Sequence, residues 1–144
     1  MIDARTAPFG ALLLRLSLGI LFLAHCAVKL FVFTPAGTAQ FFESIGLPAA
    51  FAYLVIAAEL LGGIALILGI WTRVVAILLI PILLGAIWTV HGAAGWMFSA
   101  TGGGWEYPAF WIVALIVQAL IGDGAYALRP LGTTDQVGNK ALAR

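Results

Sequence analysis

The chain has 144 residues, of which 63% are hydrophobic and only 9% are charged. Soluble domains usually carry about 25% charged residues, so this chain has too little charge to cover a surface that faces water. The net charge of +1 excludes a strongly basic nucleic-acid-binding surface, and we expect no nucleic-acid partner. The composition instead predicts an integral membrane protein whose main partner is the lipid bilayer.

Four apolar segments predict an all-α, four-helix membrane bundle, because a membrane-spanning helix needs about 20 mostly apolar residues. A polar break, 34–46, follows the first segment, and a glycine-rich loop, 92–106, precedes the last. Pro81 predicts a kink rather than an end, since membrane helices tolerate proline. The tail, 129–144, lacks periodicity and is predicted to be disordered. The predicted helices cover approximately residues 10–33, 47–70, 74–92 and 107–128.

The basic residues are distributed unequally between the two ends of the predicted helices. Lys29 alone falls on one side, and the other six Lys and Arg residues fall on the opposite side. Because Lys and Arg collect in cytoplasmic segments, this asymmetry predicts a multi-pass protein of the cell inner membrane with both termini in the cytoplasm. The six residues are Arg5, Arg15, Arg73, Arg129, Lys140 and Arg144.

Ionisable side chains at membrane depth form an outward layer made of His25, Lys29, Glu59 and His91. Such residues cost about 2.5–3.5 kcal/mol each on insertion scales, so each needs a partner, water or the bundle interior. We interpret Glu59, His25 and His91 as candidate catalytic or proton-exchanging residues, and a contact between Glu59 and His25 across the first two predicted helices is possible. The alternatives are a Glu59 that only fixes helix register, histidines satisfied by packing, and a Lys29 that reaches towards water as an interfacial anchor.

Two further groups of residues carry more specific expectations. Lys29 and the pair Gly62 and Gly63, which closely follow Glu59, are candidates for cofactor binding, although close helix packing would also explain the glycines. An inward layer, nearer the predicted cytoplasmic ends of the helices, contains Arg15 and Asp123, which lie at similar depths in the first and fourth predicted helices. They predict a structural ion pair between helices, the alternative being two side chains that reach separately to water. No metal site is predicted.

Several segments, in their order and spacing, carry a family resemblance. They are residues 14–30, the Gly-Leu-Pro at 46–48, residues 58–63, the turn at 68–73, and His91. Together they resemble the DoxX family of small bacterial membrane proteins, over about residues 14–128. The resemblance implies a four-helix inner-membrane bundle with a redox association, since members include a quinone-reducing thiosulfate oxidoreductase subunit and others linked to oxidative or quinone stress.

A quinone-linked or redox-stress-associated membrane subunit is the preferred function, with the outward layer holding a quinone head group. The single cysteine, Cys26, cannot supply a redox dithiol or an iron–sulfur ligand set. Electrons would then come from a soluble redox partner or from the quinone itself. Haem b between His25 and His91 is disfavoured, because their expected depths differ by about 4–6 Å. Whether the isolated chain is an enzyme stays open.

Two other function classes remain as alternatives. The first is a non-enzymatic membrane scaffold that recruits soluble redox enzymes. The second is a small-solute carrier. It is less favoured, because four helices leave little room for a pathway unless the chain forms a homo-oligomer.

Overall fold

The computed structural model describes residues 3–130. Within that range the fold is helical, as predicted, and an isolated β-bridge joins Ile70 to Arg129. The helices are α1 (Ala7–Ala27), α2 (Pro35–Ser44), α3 (Ala50–Leu68), α4 (Thr72–Ala86) and α5 (Glu106–Ile121).

Three of the helices are long and apolar enough to cross a membrane. With their continuations past α1 and α4, they are Ala7–Val32, Ala50–Leu68 and Thr72–Ala94. Helix α5 is apolar but has 16 residues, which corresponds to a length of about 24 Å. Large apolar side chains point outwards, including Trp88, which is 89% exposed. Such a surface suits contact with lipid rather than with water.

The first and last described segments meet at the same end of the bundle, which we call the tail end. There the Ala125 N–H donates to the Pro8 carbonyl at 2.9 Å, and the Leu128 N–H donates to the Leu68 carbonyl at 3.0 Å. The opposite end, where α1 and α4 finish and α5 begins, is called the pocket end. Helices α1, α3, α4 and α5 therefore run alternately up and down between these two ends.

The core lies where α1, α4 and α5 pack together, and α1 also contacts α3 closely. Phe22 and Trp111 lie with their ring centroids 4.5 Å apart at its centre. Gly19 and Gly63 let α1 and α3 approach, because a Cβ on Gly19 would lie 2.8 Å from the Gly63 carbonyl oxygen. The buried cluster contains Leu18, Phe22, Leu66, Ala76, Leu79, Leu83, Trp111 and Leu115.

The last helix is shorter than predicted, ending at Ile121 instead of 128. Gly122 stops it, because its φ of 88° lies outside the helical region that the next turn would need. The Gln118 side chain also donates to the Gly122 carbonyl at 2.7 Å. The following segment folds back across the tail end, so Arg129 is held by the Gly69 carbonyl. The rest of the predicted disordered tail, from 131 onwards, lies outside the described residues.

The prediction of a polar break at 34–46 was incomplete, because this segment contains helix α2. The Thr34 hydroxyl accepts a hydrogen bond from the Gly37 N–H at 3.1 Å, and Pro35 occupies the first helical turn. Both are recognised start signals of a helix. Helix α2 packs against α3. Helix α4, the third of the predicted helices, continues through Pro81 without ending, as predicted.

Candidate functional site

Two π-helical turns shape the pocket end of the bundle. Helix α1 passes into a π turn at Val28–Val32, and α4 passes into another at Ile87–His91. Such turns are rare and are often found at functional sites. The first carries Lys29 and the second carries His91, which are two of the predicted site residues. Each π turn changes the direction in which these side chains leave the helix relative to a regular α-helix.

A cavity of about 1150 Å³ lies between the helices at this end. Its lining includes four of the sequence-predicted residues, namely His25, Lys29, Glu59 and His91. Most of the remaining wall is apolar or aromatic. A ligand with a few polar atoms on an apolar body would match this lining. The wall includes Phe41 and Phe42 of α2, Leu54 of α3, Ile82 of α4, and Tyr107 and Trp111 of α5.

An ion pair between Lys29 and Glu59 joins α1 to α3 in the cavity wall. The Lys29 Nζ lies 2.7 Å from Oε1 and 2.9 Å from Oε2 of Glu59. The side chains are 19% and 6% exposed, respectively. Burial of two charges is costly, and their mutual attraction and bidentate geometry offset that cost. Among residues 3–130, which the structure describes, no other ion pair is present.

This arrangement corrects two sequence-based interpretations. Lys29 does not reach out towards water as an anchor, because its ammonium group turns inwards to Glu59. The considered contact between Glu59 and His25 is not formed, since the Glu59 oxygens accept from Lys29. Helical spacing places His25 and Lys29 on one face, and Lys29, which lies in the π turn, is the one that contacts the carboxylate.

The two histidines reach the cavity in different environments. The His25 ring lies 5.0 Å from the Trp111 ring and 6.4 Å from the Tyr107 ring, measured between centroids. His91 Nδ1 lies 2.7 Å from the Gly103 carbonyl oxygen. Because a carbonyl can only accept, Nδ1 carries the proton, and Nε2 of the neutral ring is an acceptor.

The predicted cofactor-binding glycines lie outside the wall of the main cavity. Gly62 lines a smaller groove between α3 and α4, and its face lies against Leu79. Gly63 faces α1, where an added Cβ would lie 2.9 Å from the Leu23 side chain. This close contact supports helix packing, which was the alternative interpretation of these glycines, and cofactor binding at Gly63 stays a prediction.

The predicted ion pair between Arg15 and Asp123 is not formed. Arg15 is buried at the tail end and donates to the Ala125 carbonyl at 3.1 Å. Asp123 accepts from the Thr72 backbone N–H at 3.2 Å. The early end of α5 places Asp123 in the returning segment, where its carboxylate caps the positive N-terminus of α4. Both residues lie away from the cavity.

Sequence reasoning missed the contribution of α2 and of the aromatic residues on α5. Phe41 and Phe42 enter the cavity wall because α2 folds over it. Tyr107 and Trp111 line the same cavity from the start of α5. Their spacing of four residues, which places two aromatic rings on one helix face, was the signal that could have found them.

Comparison with known proteins places the chain in a family. The DoxX family model matches residues 10–92, a range that contains His25, Lys29, Glu59 and His91. A protein of Bacillus subtilis (strain 168), named "Putative oxidoreductase CatD", is 40% identical over 126 residues, which cover 88% of this chain and 89% of that protein. No solved structure matches the chain. The extent of these matches shows that the chain belongs to the DoxX family.

Proposed function

We propose that this chain is the quinone-binding subunit of a membrane redox system. Its family and the oxidoreductase name of its relative support a redox association. The observation that carries the quinone assignment is the Lys29–Glu59 ion pair set into the wall of a largely apolar, aromatic cavity. A quinone combines a flat apolar ring with two carbonyl oxygens, so it needs the two features that this cavity combines.

The hydrogen-bonding capacity of Lys29 supports this assignment. An ammonium group has three donors, and two of them point to the Glu59 oxygens. The third lies near the His25 carbonyl at the long distance of 3.5 Å, so it is free to turn to a quinone carbonyl. The rings of Tyr107 and Trp111 offer an aromatic wall against which the quinone ring could pack.

Reduction of the bound quinone would need two electrons and two protons, and would convert both carbonyl groups to hydroxyl groups. A separate electron-carrying redox protein would deliver the electrons, since Cys26 is the only cysteine. Lys29 would donate a proton to one quinone oxygen, and His91, after Nε2 has taken up a proton from water, would donate to the other; both protons would then be replenished from water. In this scheme the chain binds, orients and protonates the quinone.

The arrangement of the helices supports a particular orientation in the inner membrane. Helix α5 connects the pocket end to the tail end, so its 16 residues would complete a fourth crossing. Arg15, Arg73 and Arg129 lie at the tail end, while Lys29 lies at the pocket end. This bias favours a cytoplasmic tail end.

A green fluorescent protein fused to the C-terminus should fluoresce, whereas activity of a periplasm-specific reporter there would contradict this orientation.

A binding titration tests the proposed function. Purified protein in detergent is titrated with decylubiquinone, and quenching of tryptophan fluorescence, to which Trp111 contributes, is followed to saturation. Glu59→Gln should weaken binding at least tenfold, equivalent to about 1.4 kcal/mol, because Lys29 loses the carboxylate that positions it. The matched control is Glu43→Gln, the same change at an exposed residue that does not line the cavity.

Glu43→Gln should bind the quinone like the unmodified chain. Circular dichroism and gel filtration establish that each variant is folded, and His91→Gln provides a second alteration of the cavity wall. Non-saturable quenching by the unmodified protein, or equal affinities for the unmodified chain and Glu59→Gln, would contradict the assignment.

A further inference from the structure

A narrow groove of about 270 Å³ lies between α3 and α4. Three small residues and Leu61 form its α3 side, and their spacing places them on one helix face. Larger aliphatic residues of α4 form the facing side. The groove is therefore a shallow, apolar channel along the helix pair, bordered by Ala58, Leu61, Gly62 and Ala65 of α3 and by Val75, Leu78 and Leu79 of α4.

The groove adjoins the main cavity, because Ala58 and Leu78 line both spaces. Ala58 directly precedes Glu59, so the groove begins beside the Lys29–Glu59 ion pair. From there it follows α3 towards the tail end as far as Ala65. Seven residues of helix correspond to roughly 10 Å. Together the two spaces would suit a ligand with a polar head and an apolar chain.

We propose that this groove binds the isoprenoid tail of the quinone, an inference that rests on the proposed quinone site. The polar end of the cavity would orient the head group, and the adjoining groove offers an apolar surface that leads away from it. Its length matches about two isoprene units of roughly 5 Å each, given carbon–carbon bonds of about 1.5 Å. The first two units would therefore contact protein, and any later units would extend into lipid.

Quinones with one head group and different tails test this proposal. Ubiquinones with zero, one and two isoprene units are titrated against the unmodified chain and against Ala65→Leu, which narrows the far part of the groove. Ala24→Leu is the matched control, because Ala24 is exposed on α1 and lines neither space. Comparing variants with each ligand removes the effect of ligand partition into detergent.

The second isoprene unit should raise the affinity of the unmodified chain and of Ala24→Leu at least fivefold. Ala65→Leu should lose that gain, while its affinity for the tail-free quinone stays within twofold of the unmodified value. If Ala65→Leu does not fold, Val75→Phe narrows the same groove from α4 and should give the same result.

Two results would overturn the inference in distinguishable ways. An unchanged dependence on tail length in the groove variant would place the tail elsewhere, while saturable, Glu59-dependent binding of the tail-free quinone would leave the proposed function intact. Absence of saturable binding for all three quinones in the unmodified chain would overturn the proposed function and the tail site together.

Discussion

Replacing Lys29 with methionine should lower the free energy of unfolding by about 3–5 kcal/mol, because it leaves a buried carboxylate without its partner. Glu59 is almost fully enclosed, with 6% of its side chain exposed, so water cannot replace the lost ammonium group at low cost. Thermal unfolding in a single detergent, with the change in melting temperature converted to free energy, measures the effect. Arg5→Met, which removes an exposed charge at the tail end, is the control and should be nearly neutral.

The double variant Lys29→Met/Glu59→Met separates the structural role of the ion pair from its functional role. Removing both charges leaves no unpaired group, and buried pairs can often be replaced by apolar residues without loss of stability. The double variant should therefore recover most of the lost stability but should not recover quinone binding. A single Lys29 variant as stable as the unmodified chain, or a double variant that binds quinone normally, would contradict the role assigned to the pair.

Replacing Gly63 with leucine should destabilise the bundle by about 3 kcal/mol, which is the upper part of the range for overpacked sites. The new side chain would have to enter the contact between α1 and α3, where a Cβ alone would lie 3.0 Å from the Gly19 carbonyl oxygen. Thermal unfolding measures the loss. Gly10→Leu is the matched control, since a Cβ at Gly10 meets nothing within 4 Å, and it should be neutral or slightly stabilising.

The same pair of variants decides between packing and cofactor binding at Gly63. If Gly63 serves packing, the folded fraction of Gly63→Leu should bind quinone with an affinity close to that of the unmodified chain. Unaltered stability combined with lost quinone binding would instead indicate that Gly63 is part of the ligand site.

Much of the fold could be predicted from composition and hydropathy, because long apolar segments with few charges leave little choice of structure. The residues that line the cavity were also identifiable, since ionisable side chains in apolar helices are conspicuous. His25, Lys29, Glu59 and His91 were named for that reason, and they line one cavity. Their use as a quinone site is still a proposal.

The pairing of these residues could not be predicted, because it depends on backbone details that hydropathy does not encode. The π turn at Val28–Val32 alters the direction of Lys29 within a segment that looks like continuous α-helix. The end of α5 was also placed too late, because the prediction continued the helix through the Gly-Asp-Gly at 122–124 into the apolar residues 125–128. Asp123 was consequently assigned to a helix and to Arg15, whereas it caps α4.

The short helix α2 was missed because its mixed composition resembled a polar loop. Thr34 and Pro35 gave a recognisable start signal, but a segment of ten residues is too short for hydropathy to stand out. Its aromatic residues matter because they help to close the cavity.

Extraction of lipids from the purified protein tests the quinone assignment most directly. Protein isolated in mild detergent from quinone-containing membranes should carry close to one quinone per chain, and Glu43→Gln should carry the same amount. Glu59→Gln should lose most of it while remaining folded. Protein that carries no quinone after mild purification, and takes up none when quinone is added back, would contradict the assignment.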